Sequence, residues 1–227
     1  YAHDTFSFKR KLLGVDRFWF NLKPNEEAKG LDRCSDIVAI QYNEAVLFHY
    51  LNPLAKVYTV YSYFSPVELP VVASNSILYI AGNNEVNLNG ITFFLQHVFP
   101  LILAIRTDVS LEIGGSICDV IPSSLITSHV HLLGKIDKLE SFYALGNISI
   151  NPVYQGTGLK IKTFEGLSYG KAVVAHSHSV EGIYNIDQAP ILSSSDPKRM
   201  AEYILLLLDN RKLCISMHKH ALAYIKE

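Results

Sequence analysis

Residues 147–176 read "NISINPVYQGTGLKIKTFEGLSYGKAVVAH". The short apolar runs at 147–152 and 171–176 suit buried parallel strands. Between them stand a glycine-flanked turn, Gly156-Thr157-Gly158, and then Ile161, Phe164 and Leu167 at helical spacing. Strand, loop, helix and strand in that order form a βαβ unit, which belongs to a parallel sheet. The two glycines let backbone N–H groups approach a ligand, and a helix start behind them favours negative charge. Lys160 and Lys162 add positive charge. Glu165, one to two turns inside the helix, does not suit an anion. It either forms a surface pair with Lys162, worth about a few tenths of a kcal/mol, or faces a ligand that carries hydroxyls.

The same alternation extends in both directions. Upstream, 76–82, 110–115 and 129–134 are short apolar runs that end in glycine, and 189–192 is a further strand downstream. The polar stretch 83–89 reads as a turn, followed by a helix from Ile91 that stops or bends near Pro100. A helix is expected over 136–145. Asp196 and Pro197 suit the cap and first turn of another, and a last helix covers 211–226. Strands alternating with helices over this length predict a doubly wound parallel sheet, with ligands bound outside the carboxyl ends of its strands. Gly82, Gly114-Gly115, Gly134 and the loops 152–158 and 176–182 converge there. Residues 1–71 are organised differently: helix, strand and helix across 25–51, then a strand at 56–62. They predict an incomplete second α/β domain before a linker at 65–70, so the expected domains are 1–71 and 72–227.

Of the 227 residues, 49% are hydrophobic and 18% charged, with a net charge of −1. That balance describes a globular chain and excludes a broad nucleic-acid-binding face. Three separated cysteines, Cys34, Cys118 and Cys214, point to free buried thiols in a reducing, cytoplasmic setting. No apolar run reaches about 18 residues, so no membrane span is expected. The start of the chain lacks a signal-peptide layout, and its abrupt opening suggests missing upstream sequence. Scattered Asp36, Asp119, Asp137 and Asp187 predict no metal site. His176 and His178 either fill a loop or touch a sugar hydroxyl, His218 and His220 read as surface, and Trp19 reads as core. The sequon at Asn147 opens a buried strand and is discounted.

Pro152, Gly156, Gly158, Leu159, Lys160, Lys162, Glu165, Gly170, Val173, Val174, Glu181 and Gly182 together resemble the nucleotide-sugar site of the group 1 glycosyltransferases, which have the two-domain GT-B fold. "LYIAGNNEVNLNGITFFLQHVFPLI", "LEIGG" and "HVHLLGKIDKLESFYALGNISINP" are similar to the preceding parts of that family's C-terminal domain, so the resemblance covers about 74–227. "HDTFSFKR" and "EEAKGLDRCSDIVAIQYNEA" resemble, less specifically, the end of its acceptor-side domain.

The resemblance implies a Rossmann-like donor domain and transfer of a sugar, with retention, from a UDP- or GDP-sugar to a glycan, lipid or small-molecule acceptor. It implies no cofactor and no obligatory metal, and peripheral association with the inner membrane face stays open. Residue by residue, Glu165 matches the glutamate that binds the ribose hydroxyls, and Gly158, Leu159 and Lys160 match the loop beside the diphosphate. Gly134, Lys135 and Ile136 match the loop that holds the base. Gly82, Gly156 and Glu181 fall on neighbouring loops of the crevice. Lys160 and Lys162 would meet the diphosphate charge, and His3 would stand near a sugar; these three are the catalytic candidates. Thr157 occupies the place of the family's first motif glutamate, and the turn "NNEVNLNG" lacks its Arg/Lys pair. Two other readings remain at this point: a non-catalytic nucleotide-sugar-binding module or partner subunit, and a GT-B epimerase, for which the extra cleft acids are missing.

Overall fold

The computed structural model describes residues 6–7 and 22–227. His3 and Trp19 lie outside the described residues. The chain divides into two compact units. One contains Tyr1–Tyr63 with the segments Gln155–Lys160 and Glu181–Asn185; the other contains Phe64–Tyr154, Ile161–Val180 and Ile186–Glu227.

In the first unit, helix α1 (Pro24–Leu31) opens with proline in its first turn, and the Lys23 N–H donates to Glu26 Oε2 at 2.7 Å. Strands β1 (Asp36–Ala39) and β2 (Lys56–Thr59) pair in parallel through the crossover helix α2 (Tyr42–Leu51). Ile37, Ala39, Phe48 and Ala55 form its small core. Buried Asn52 locks the turn after α2: its amide donates to Leu31 O at 3.0 Å and accepts from the Leu54 and Ala55 N–H groups at 3.2 Å.

The second unit is built on six parallel strands: β3 (Ser76–Ile80), β4 (Ser110–Gly114), β5 (Val130–Gly134), β6 (Ile148–Asn151), β7 (Ala172–Ala175) and β8 (Ile191–Ser193). Their spatial order is β5-β4-β3-β6-β7-β8. The chain therefore winds outward one way from β3 and then the other way from β6, and their carboxyl ends flank the switch point. Side chains alternate between faces, as the pleat requires. Ile77, Tyr79, Leu111, Ile113, Ile148 and Ile150 share one core with helix residues Ile91, Phe94, Val98, Met200 and Ile204. Leu78 faces the other way, onto Phe142, Tyr143 and Tyr169. This is the doubly wound α/β architecture that the alternating runs predict.

Helices α3 (Glu85–Phe93), α5 (Leu139–Tyr143), α6 (Ile161–Ser168), α7 (Pro197–Asp209) and α8 (Arg211–Tyr224) connect and close the sheet. Asp196 caps α7 as expected, accepting from the Lys198 N–H at 3.1 Å. Elsewhere the structure corrects the sequence reading. Residues 83–89 are not a turn, because α3 begins at Glu85. Asn84 accepts from the Asn87 N–H at 2.9 Å as its cap, and Asn87 is itself buried, donating to Gly82 O at 2.8 Å. Two asparagines that look like loop chemistry serve here as a cap and a buried brace.

Pro100 does not end the helix either. A π-helical turn at Phe94–Val98 leads into α4 (Phe99–Leu103), with Phe99 N–H bonded to Phe94 O. The wider turn places the proline in a first turn, where its missing donor costs least. The run Glu85–Leu103 is thus one 19-residue helix, long and apolar enough by length and composition to cross a bilayer. Its Ile91, Phe94, Val98, Phe99 and Ile102 lie in the core.

Smaller differences follow. Helix α5 covers only Leu139–Tyr143 of the expected 136–145. Residues 65–70, expected as a linker, pack on the second unit: the Val67 N–H donates to Ser168 O at 2.7 Å, and the adjacent Phe64 stacks on Phe164. His218 is buried, its Nδ1 lying 2.9 Å from Gly170 O, whereas Cys34 is exposed. Gly170 has a φ of +65°, and a Cβ there would run into the His218 ring.

Candidate functional site

Three segments at one end of the sheet in the second unit carry six of the sequence-predicted residues. Gly82 follows β3, and a Cβ on it would meet nothing within 4 Å. Gly134 ends β5 with a φ of +64°, and its carbonyl accepts the Gly115 N–H at 2.6 Å. Beyond it Lys135 Nζ pairs with Asp137 at 3.2 Å, both side chains largely exposed, so that pair contributes little stability. Ile136 turns inward instead: a Cβ on Gly114 would come within 2.8 Å of it. A cavity of about 400 Å³ opens beside this loop, lined by Leu133, Lys135, Ile136, Ser141, Phe142 and others.

Glu165 is held by a partner that its own helix does not supply. The Tyr143 hydroxyl donates to Glu165 Oε1 at 2.8 Å. Tyr143 is 1% exposed, and its ring stacks on Tyr169 with centroids 4.4 Å apart and planes 12° from parallel. Burial, and then the charge of Glu165, hold its phenol well above the ordinary value of 10.0, so it stays a donor at neutral pH. One carboxylate oxygen is thereby fixed, and the direction of the second is set with it.

The helix that carries Glu165 sits close to the sheet. A Cβ on Gly166 would lie 3.1 Å from Ser149 Oγ and 3.2 Å from Val173 Cγ2. Wholly buried Thr163 accepts from Asn151 Nδ2 at 2.9 Å and donates to Ser179 O at 3.0 Å, and Ser179 Oγ donates to Val153 O at 2.6 Å. These buried bonds tie the ends of β6 and β7 to the first turn of α6 and rigidify what they join, although Asn151 Oδ1 is buried without a hydrogen-bond partner.

Gly156 and Gly158 take φ values of +107° and +83°, which glycine adopts without strain. They belong with Thr157, Leu159, Lys160 and Glu181 to segments of the first unit. Beside Glu181, the Gly182 carbonyl accepts the Tyr61 hydroxyl at 2.6 Å. The second unit thus carries Gly82, Gly134, Lys135, Ile136, half-buried Lys162 and Glu165, while His3 lies outside the described residues. Sequence reasoning missed Tyr143, Tyr169, Thr163 and Gly166. Only Gly166 had a signal, since a glycine inside a helix costs about 1 kcal/mol against alanine and calls for a packing reason.

The family model described as "Glycosyl transferases group 1" matches residues 68–210. An uncharacterised 44.6 kDa protein of the cps region of Klebsiella pneumoniae is 25% identical over 155 residues, covering 62% of this chain and 39% of that protein. Among solved structures, a variant of S. aureus TarM in complex with fondaparinux, α-GlcNAc-glycerol and UDP superposes with a TM-score of 0.75 at 12% identity. That match covers 99% of this chain and 46% of TarM. Anabaena Alr3699/HepE in complex with UDP and glucose gives a TM-score of 0.63 at 11% identity, over 87% of this chain and 62% of that one. At such identities the structural likeness concerns the fold, which is GT-B, and the chain spans less than two thirds of each of these relatives. With its sheet order and the match over 68–210, the chain belongs to the group 1 glycosyltransferases.

Proposed function

We propose that this chain supplies the donor side of a retaining glycosyltransferase, which moves a sugar from a UDP- or GDP-sugar to a glycan or lipid acceptor in the cytoplasm. The observation that carries the reading is Glu165, a carboxylate inside α6 oriented by the buried Tyr143 hydroxyl. A charge-bearing acceptor fixed in this way suits the vicinal hydroxyls of a ribose. UDP is the nucleotide named with both the TarM and HepE complexes, which supports UDP over GDP.

Transfer requires departure of a nucleoside diphosphate from the anomeric carbon while positive charge develops on the sugar. The main contribution of the protein is to stabilise the negative charge on the leaving group. In the second unit Lys162 provides a cationic group for this; the Gly156–Gly158 turn and Lys160, on the first unit, carry the N–H and cationic groups that the family resemblance assigns to the same task. No metal or other cofactor is invoked. Gly134, Lys135 and Ile136 border the cavity proposed for the base.

Calorimetry with UDP-glucose, GDP-mannose and ADP-glucose tests the assignment. Glu165→Ala is expected to weaken the preferred nucleotide sugar by about 10–100-fold, the worth of hydrogen bonds to a charged group. Tyr143→Phe keeps the carboxylate but frees its orientation, and is expected to cost about 3–10-fold in affinity. If no nucleotide sugar binds the folded wild type, the donor-site assignment fails. A second reading, a binding module without catalysis, draws on Thr157 standing where a family carboxylate is expected. It prevails if UDP-glucose binds and the full-length protein shows neither transfer nor hydrolysis.

A further inference from the structure

The Tyr143 hydroxyl that orients Glu165 is itself held, by buried Ser149 of β6. Burial and the charge of Glu165 keep the phenol protonated. The Ser149 bond pulls the other way, as a hydrogen bond donated to the phenolic oxygen does. Donor and acceptor roles are thereby settled along three residues: Ser149 donates to the Tyr143 oxygen, and the Tyr143 proton goes to Glu165 Oε1 at 2.8 Å. The three stand on β6, α5 and α6, and hydrogen bonds in such a chain polarise one another. The tyrosine ring has little freedom, stacked on Tyr169 and packed with Leu78 and Phe142. Gly166, next to Glu165, brings α6 so near the sheet that a Cβ on it would lie 3.1 Å from Ser149 Oγ. Direct contact of helix and sheet therefore fixes the length of the relay.

The relay ends on a carboxylate with one oxygen committed. Glu165 is half-buried, and among the described residues its Oε2 has no hydrogen-bond partner. A carboxylate tethered by one oxygen does not swing to follow a ligand. It accepts only from hydroxyls that meet it where it stands. Two hydroxyls on adjacent carbons of a furanose satisfy it, whereas a sugar lacking one of them leaves a half-buried charge short of a donor. A carboxylate free to rotate would turn to the remaining hydroxyl or to water and recover most of that bond.

From this geometry we infer that Ser149 and Tyr143 are positioning residues that make the site selective for ribose over 2′-deoxyribose. The donors are then ribonucleoside diphosphate sugars, and the 2′-deoxy class, thymidine diphosphate sugars among them, is rejected. The inference rests on the donor-site reading of Glu165 and narrows the class of nucleotide which that site takes.

Titration of the full chain with UDP and with 2′-deoxy-UDP, which differ by one oxygen, tests this. The wild type is expected to bind UDP about 10–100-fold more tightly, as a hydrogen bond to a charged group allows. Tyr143→Phe and Ser149→Ala are each expected to lose about 3–10-fold toward UDP and to change little toward 2′-deoxy-UDP, which narrows the ratio at least about threefold. Glu165→Ala is expected to bring the ratio close to one. A variant that merely loosens the fold weakens both nucleotides alike, so the ratio separates positioning from structural damage. The inference is overturned if the wild type binds the two nucleotides equally, or if the tyrosine and serine variants weaken both in the same proportion. In either case the donor site stands as long as Glu165→Ala weakens UDP. If the folded wild type binds neither nucleotide, the donor-site assignment fails and the inference fails with it.

Discussion

Gly115→Ala is expected to cost about 3–5 kcal/mol of stability and to lower the melting temperature by roughly 10 °C. Gly115 sits just beyond β4 with φ 93° and ψ 176°, a conformation essentially confined to glycine. Space is also lacking, since a Cβ would overlap the Ala81 carbonyl, which accepts the Ile117 N–H at 3.2 Å. The Gly115 N–H in turn holds Gly134 O, so the change disturbs the ends of β3, β4 and β5 together. Gly82→Ala, with nothing within 4 Å, provides the comparison and is expected to stay within about 1 kcal/mol of wild type. Urea and thermal unfolding of both variants check this; equal stabilities would contradict the strain argument.

Lys171→Met is expected to move stability the other way, by up to about 3 kcal/mol at pH 7. Lys171 precedes β7, is 1% exposed, and burial lowers its amine from the ordinary 10.5 to about 8. At about 1.4 kcal/mol per tenfold change in proton affinity, the buried ammonium costs the folded chain roughly 3 kcal/mol. Below pH 8 the folded and unfolded chains both carry the proton, and the cost is present in full. Between about pH 8 and 10.5 the unfolded chain retains a proton that the folded chain has released, so stability climbs with pH. The wild type should therefore gain stability across that window, and Lys171→Met should not. Denaturation midpoints at pH 7, 8, 9 and 10 measure both curves, and parallel curves would contradict the prediction.

Most of the sheet was legible because a buried parallel strand leaves a plain mark: a short apolar run, here repeatedly closed by glycine. Helix α3 was misread because a capping asparagine and a buried asparagine have the composition of a loop; their roles depend on Gly82 O and on the helix that they start. Near Pro100 a stop or bend was expected; the chain instead interrupts the α-helix with a π-turn and ends it at Leu103, and the π-turn is set by packing and has no signature of its own. Within the candidate site, the glycine turn follows from local spacing, whereas spacing left Glu165 open between a surface pair and a ligand contact and only the family resemblance gave it a role. Tyr143 does not: it reaches Glu165 from 22 positions away, and its ring reads as ordinary core. The Thr163 and Ser179 hydroxyls are equally silent, because only the fold gives them partners.

The strand order also has a consequence in time. β3 acquires β4 soon after it is made, through pairs such as Ser76 with Ser110, but its other neighbour is β6, through Ile77 with Ile148. The clasp between Val72 and the Asn147 side chain spans 75 positions in the same way. At the usual pace of translation β3 waits roughly 4–14 s for β6 to be synthesised. Throughout that interval an apolar strand keeps a bare edge, the form in which nascent chains pair with the wrong neighbour. Yield in the cell should accordingly depend on chaperone supply during synthesis, more than the stability of the finished sheet would suggest.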